Sequence, residues 1–131
     1  MPDAAPHAIV VIDFMDTINH GNVERLLSLM MDGHVMRILD EPPVSGRDAL
    51  RSAWRAYLGA FPRYRVYIDR IAVEGDRVAV LGHTTGSHLG LPDEEESMLP
   101  VIWTADVSNE RLASWNILED SPRTRRDLGL T

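Results

Sequence analysis

Helix-period patterns in the first half of the chain and strand-period patterns in the second predict an α+β fold, with N-terminal helices packed on one face of a strongly curved antiparallel sheet. Two further observations bound that reading. The chain has 131 residues, enough for one domain with a sizeable core. It is 44% hydrophobic and 25% charged, ordinary for a globular protein, with no repeat or low-complexity linker to divide it.

Residues 1–6 are expected to be extended or disordered. From Pro6 to about His20, Ile9, Val10, Phe14 and Ile18 recur at helical spacing with Asp13, Asp16 and Asn19 between them. His20-Gly21-Asn22 ends that helix, because Gly and Asn tolerate the left-handed backbone of a C-cap. Asn22 then caps a second helix whose buried stripe is Leu26, Leu27, Leu29 and Met30, ending near Asp32-Gly33. His34 to Asp40 reads as a short strand, broken by Glu41-Pro42-Pro43. Ser45-Gly46-Arg47-Asp48 opens a third helix to about Ala60, with Leu50, Ala53, Trp54, Tyr57 and Leu58 on one face. Four strands follow: Tyr64 to Val73, Val78 to His88, Met98 to Val107 and Leu112 to Asp120. The acidic run Asp93 to Glu96 reads as a solvated hairpin tip.

Composition excludes several chemistries. All 13 basic residues are arginine, so there is no lysine for a Schiff base or a P-loop. Cysteine is absent, which removes disulfides, Cys nucleophiles and Cys-ligated metals. With 20 acidic residues and a net charge of −7, nucleic acid is not an expected partner. No apolar run approaches the roughly 20 residues of a membrane span, and MPDAAPHAIV lacks a secretory signal, so no membrane partner and a cytoplasmic location are expected. His7, His20 and His34 fall at helix ends, and no ligand spacing points to a metal; no cofactor is expected.

Asn19-His20-Gly21-Asn22-Val23-Glu24, Ser45-Gly46-Arg47-Asp48-Ala49-Leu50, Thr85-Gly86-Ser87-His88-Leu89-Gly90 and Trp115-Asn116-Ile117-Leu118-Glu119-Asp120, in that order, resemble the SnoaL-like branch of the nuclear transport factor 2-like superfamily. The likeness runs from about Ile9 to Leu130, so the chain reads as a single domain of that type over 1–131. Ketosteroid isomerases, limonene epoxide hydrolases and polyketide cyclases belong to the superfamily. The resemblance implies a cone, a bent sheet wrapped round helices with a blind apolar pocket open at one end, commonly in a homodimer. It does not imply one reaction.

Each known chemistry can be carried over residue by residue. The isomerase tyrosine falls on Phe14, its base on Ile38 and its protonated aspartate on about Trp103, so all three polar groups are gone. The hydrolase's second aspartate falls on Ile117. The acid that SnoaL-like cyclases place four residues after the strand tryptophan falls on Glu119. Desolvation favours the neutral form of a carboxyl inside an apolar cone, which suits a proton shuttle. Glu119 can equally sit at the rim beside Arg123, Arg125 or Arg126. Asp40, two residues past Ile38, either stands in as a base or caps the Pro42-Pro43 turn.

The family pattern, applied to strand alternation, turns inward Leu81, His83 and Thr85, then Val101, Trp103 and Ala105, then Trp115, Ile117 and Glu119. His83 becomes the acid–base partner of Glu119, or a structural histidine. His88 caps the glycine-rich turn. Trp54, Tyr57, Trp103 and Trp115, with Phe14, Ile38, Leu81, Thr85, Val101 and Ile117, line a pocket for a small, flat hydrophobic ligand of polyketide or steroid type, unless they are plain core. An acid–base isomerase or cyclase using Glu119, His83 and Asp40 is one reading, and a non-catalytic binding or assembly module is the other. Apolar positions Val80 and Ile102 on the outer sheet face call for cover by a second copy, a symmetric homodimer.

Overall fold

The computed structural model describes residues 4–131. Its elements are α1 (Ala4–His20), α2 (Val23–Ser28), β1 (Met30–Ile38), β2 (Val44–Ser45), α3 (Arg47–Ala60), β3 (Arg65–Glu74), β4 (Arg77–Thr85), α4 (Asp93–Glu96), β5 (Val101–Ser108), β6 (Arg111–Leu118) and α5 (Pro122–Asp127). Residues 4–6, expected to be extended, form the first turn of α1; residues 1–3 lie outside the described residues. Asn22 caps α2 as its position predicts, accepting the Arg25 N–H at 3.1 Å. The helix stops at Ser28, earlier than its leucine stripe predicts. Leu112 N–H takes the Leu29 carbonyl at 2.8 Å and Met30 enters the sheet opposite Leu112. A six-residue helix has few internal bonds to set against a strand partner.

The sheet has six strands in the order β2-β1-β6-β5-β4-β3. The antiparallel meander β3 to β6 is the one the turns predict, and β1 joins it parallel to β6. Register breaks between Ile68 and Arg70, between Thr104 and Val107, and between Met30 and Val35 bend the strands, the usual effect of an extra residue in a ladder. Gly82 faces the break in β3, where a Cβ would lie 1.9 Å from the Tyr67 carbonyl oxygen. Only glycine permits that approach. At the free edge, Asn19 accepts the Val66 N–H at 2.7 Å and donates to its carbonyl at 3.0 Å, tying the end of α1 to β3 and closing two ladder groups of the edge.

The main core lies between the concave face and helices α1 to α3. β5 and β6 turn inward Trp103, Ala105, Trp115 and Ile117, as strand alternation combined with the family resemblance implies. β4 has the opposite parity. Val80 pairs with Trp103 and Leu81 with Ile102, so Val78 and Val80 belong to the concave core while Leu81, His83 and Thr85 face outward. Alternation misleads in β4 because Ala79 and Leu81 are as apolar as Val78 and Val80. Both faces of this strand are covered, the outer one by Leu128 and Leu130 from the end of the chain. Of the two residues expected on the outer face and in need of a second copy, Val80 faces the concave core instead, and Ile102 is outer but covered in cis by Leu128 and Leu130. His34, expected at a helix end, lies in β1, 1% exposed. No helix among the described residues is long and apolar enough to cross a membrane.

Candidate functional site

The closed base of the cone is filled by its own rings. Phe14 sits 4.9 Å from Trp115, meets Trp54 edge-on at 6.2 Å and lies 6.4 Å from His34, while Trp103 stacks on Trp115 at 6.1 Å. All five are buried. His34 Nδ1 donates to the Leu112 carbonyl at 2.7 Å. Burial holds its pKa below the usual histidine value, against the opposing pull of that hydrogen bond, so the ring is neutral at pH 7. Its Nε2 and the Trp54 Nε1 meet no partner among the described residues.

Towards the open end the lining loosens. Ile38 and Ile117 pair across β1 and β6, and they, Val101 and Tyr57 are half-buried. Leu39, Leu89, Met98 and Leu99, on the loops at this end, are exposed. Here the structure also gathers polar groups. Thr84, on the concave side of β4, donates to the Glu96 carboxylate, and Ser87 N–H donates to its other oxygen at 3.3 Å. Glu96 is 1% exposed. The Tyr57 hydroxyl accepts the His88 N–H at 3.2 Å and shares a 2.8 Å hydrogen bond with His88 Nδ1. Tyr64 meets Tyr57 edge-on at 5.0 Å. Burial, reinforced by the negative charge of Glu96, pushes both phenols above their ordinary pKa, so both keep their protons at neutral pH.

The glycine-rich turn that carries Ser87 and His88 is pressed onto the backbone. A Cβ at Gly86, whose φ is +68°, would lie 2.4 Å from the Arg63 carbonyl oxygen. A surface cleft of about 570 Å³ adjoins the cluster, lined by Phe61, Arg63, Ser87, Leu91 and Glu94 among others. A second, of about 760 Å³, lies at the corner of α1, α2 and α3 around His20, Glu24, Arg55 and Arg65.

The three acid–base candidates read from sequence do not converge. His83 is on the outer face, its ring stacked on Tyr67 at 4.7 Å and its Nδ1 2.8 Å from Asp69 Oδ2. Leu81 and Thr85 share that face, Leu81 in the outer apolar cluster and Thr85 against the Tyr67 hydroxyl at 3.3 Å. Glu119, beyond the end of β6, and Asp40, in the turn after β1, are both exposed. The Ile38–Ile117 register nevertheless puts these two carboxylates beyond the same end of neighbouring strands, on the rim of the cone. Phe14, Trp54, Trp103 and Trp115 are core; Ile38, Tyr57, Val101 and Ile117 border the mouth.

Glu96 is the site residue that the sequence reading missed. The acidic run is the one-turn helix α4 instead of a solvated tip. Pro92 followed by acidic residues is a helix-start pattern, which was the signal that the run is a helical turn.

Residues 11–115 match the SnoaL-like domain family. Among solved structures, a candidate SnoaL-like polyketide cyclase from Jannaschia sp. CCS1 superposes with a TM-score of 0.74 at 17% identity, over 100% of this chain and 96% of that one. A candidate polyketide cyclase from Sinorhizobium meliloti gives 0.69 at 20% identity, over 82% and 92%. The epoxide hydrolase/cyclase-like enzyme SalBIII, of pyran ring formation in salinomycin, gives 0.72 at 13% identity, over 90% and 93%. No curated protein sequence matches the chain. At these identities the structures establish a shared fold.

Proposed function

The chain belongs to the SnoaL-like domain family, and from that premise we propose that it binds a small, flat, hydrophobic ring compound of polyketide or steroid type at the mouth of the cone. One observation carries this reading: apolar side chains are packed shut at the base but left half-buried or exposed at one end, beside a protonated phenol. Ile38, Val101 and Ile117 supply apolar area, and Tyr57 supplies a donor for a ligand carbonyl or hydroxyl. The aromatic base positions that were assigned to the pocket by sequence serve here as its floor.

A second reading is acid–base catalysis at the same mouth, by an isomerase or cyclase. It rests on the 2.8 Å Tyr57–His88 hydrogen bond. Tyr57 would hold a ligand carbonyl oxygen while His88, or a rim carboxylate of Asp40 or Glu119, moves the proton on the neighbouring carbon. The oily base, where His34 is the one ionisable ring beside Phe14, Trp54, Trp103 and Trp115 among the described residues, favours binding without chemistry. Titrating a panel of steroids and aromatic polyketides against tryptophan fluorescence and melting temperature tests the first reading. A saturable shift that Tyr57→Phe weakens is expected, and no shift across the panel would refute it. Deuterium exchange beside the carbonyl of a bound ligand, lost in His88→Ala, separates the second reading from the first.

A further inference from the structure

The corner where α1, α2 and α3 meet the start of β3 holds the larger of the two surface clefts, about 760 Å³, a size that takes a small organic molecule. Its lining is part apolar, with Ile18 and Tyr64 buried and Leu58 half-buried, and part charged. Arg55 reaches it from α3 and Arg65 from the start of β3, with Glu24 of α2 as the lining carboxylate. Glu24 is already occupied. It accepts from Arg51 Nε at 2.9 Å and Nη2 at 3.3 Å, and from Arg55 Nη2 at 3.0 Å. Arg65 and Arg47 are held by carbonyls instead, Arg65 by Tyr64 at 2.8 Å and Pro62 at 3.3 Å, and Arg47 by Leu27 at 2.9 Å. A carbonyl orients a guanidinium without cancelling its charge and leaves N–H donors over. The four arginines of this corner therefore outnumber its carboxylates, which are Glu24, Asp48 against Arg51 at 3.1 Å, and Asp16 beside His20 at 3.7 Å. The excess is felt by Glu24, whose pKa the hydrogen bond from Arg51 and the charges of Arg51, Arg55 and Arg47 hold below the usual carboxylate value. The carbonyl ends of α1 and α3 open on the same corner and by themselves repel an anion; the arginines reverse that sign.

Gly59 supplies an independent observation. It lies in the last turn of α3, it lines the cleft, its φ is not positive, and a Cβ there would meet nothing within 4 Å. Neither the backbone nor a neighbour requires glycine, and alanine suits a helix better. A molecule lying against the bare backbone of α3 does require it. We propose that this cleft binds a small organic oxyanion, a carboxylate or phosphate on an apolar body, with its oxygens taken by Arg55 and Arg65 and its body laid over Gly59 and Leu58. Guanidinium forks match the oxygens of both headgroups in paired hydrogen bonds. The site is separate from the mouth of the cone, since none of Tyr57, His88 and Glu96 lines it. It stands or falls without the reading given for the mouth.

Amide chemical shifts of the isotope-labelled full-length chain, titrated with phenyl phosphate, benzoate and the neutral benzyl alcohol, test the proposal. Saturable shifts at Gly21, Asn22, Gly59 and Arg65 are expected with at least one anion and not with the alcohol, and the tighter anion identifies the headgroup. Arg55→Ala and Arg65→Ala should each weaken binding about tenfold or more. Arg123→Ala, which removes the same charge from the exposed face of α5, should leave it unchanged. Gly59→Leu should keep the near-UV circular dichroism of the wild type and block the cleft. Should Arg65→Ala disturb the turn it holds, Arg55→Ala, which gives up only an exposed pair with Glu24, decides alone. The proposal falls if neither anion saturates up to about 10 mM, if benzyl alcohol binds equally, or if Arg123→Ala weakens binding as much as Arg55→Ala. It falls as well if Gly59→Leu binds like the wild type, or if the shifts gather on Ser87 to Leu91 at the mouth.

Discussion

The base and the mouth of the cone share helix α3 and strands β1, β5 and β6, yet they do opposite things with their polar groups. At the base, Phe14, Trp54, Trp103 and Trp115 pack on one another and His34 is left with one hydrogen bond to a carbonyl. At the mouth, Glu96, Thr84, Ser87, Tyr57 and His88 satisfy one another. The difference teaches that stability and recognition are divided along the axis of the cone. Closing the base with rings leaves the half-buried end as the place where a ligand can gain contacts that the protein does not already make.

The largest effect that would expose this division is at the base. Trp115→Ala removes a ring that touches both Phe14 and Trp103, and should cost about 3–5 kcal/mol in urea unfolding, since the cavity cannot collapse between β5 and β6. A cost below about 1 kcal/mol would mean that the rings are loosely packed and that the base is itself the pocket. Next is Glu96. Glu96→Ala strands the Thr84 hydroxyl and the Ser87 N–H and should cost about 2–3 kcal/mol, whereas Glu96→Gln keeps an acceptor and should cost clearly less. Equal, negligible costs would place the carboxylate in water.

The third effect is a pH dependence. Burial lowers the His34 pKa, so the folded state binds its proton less readily than the unfolded chain does. Above the unfolded value, about 6.5, both states are neutral and His34 adds no slope. As pH falls from there towards the lowered folded value, the unfolded chain takes up the proton first and stability is lost. His34→Leu should flatten the fall of the urea midpoint as pH drops below about 6.5. An unchanged slope in that variant would assign the loss to other groups. The paired carboxylates of Glu24 and Asp120, whose pKa values their arginine partners lower, act at more acid pH.

Much of this organisation was legible in the sequence, and the failures share a cause. The three helices and the meander follow from periodicity, and the inward row of Trp103, Trp115 and Ile117 follows from strand alternation together with the family pattern that sets which face is inward. β4 defeats the same rule: its outer residues Ala79 and Leu81 are covered by Leu128 and Leu130, nearly fifty residues further on, and no local pattern reports a cover that distant. His83 was turned inward by that error. Glu96 was missed because a run of four acids looks solvated, and only its place in one helical turn distinguishes the buried member. The chemistry of the mouth is non-local in the same sense, joining α3 to the turn after β4 and to α4.

The smallest effect on stability is the one that places the ligand. Glu119 is exposed beyond the end of β6, so Glu119→Gln should leave the urea midpoint unchanged. Tyr57→Phe removes one hydroxyl whose partners, the His88 N–H and Nδ1, can turn to water, so it too should unfold little more readily than the wild type. The two then part in binding. A ligand seated at the mouth against Tyr57 loses one hydrogen bond in Tyr57→Phe, about tenfold in affinity, and loses nothing in Glu119→Gln. The reverse order, with Glu119→Gln damaging and Tyr57→Phe silent, would move the ligand out to the rim and make the β1 and β6 ends, with Asp40 beside Glu119, the site of recognition.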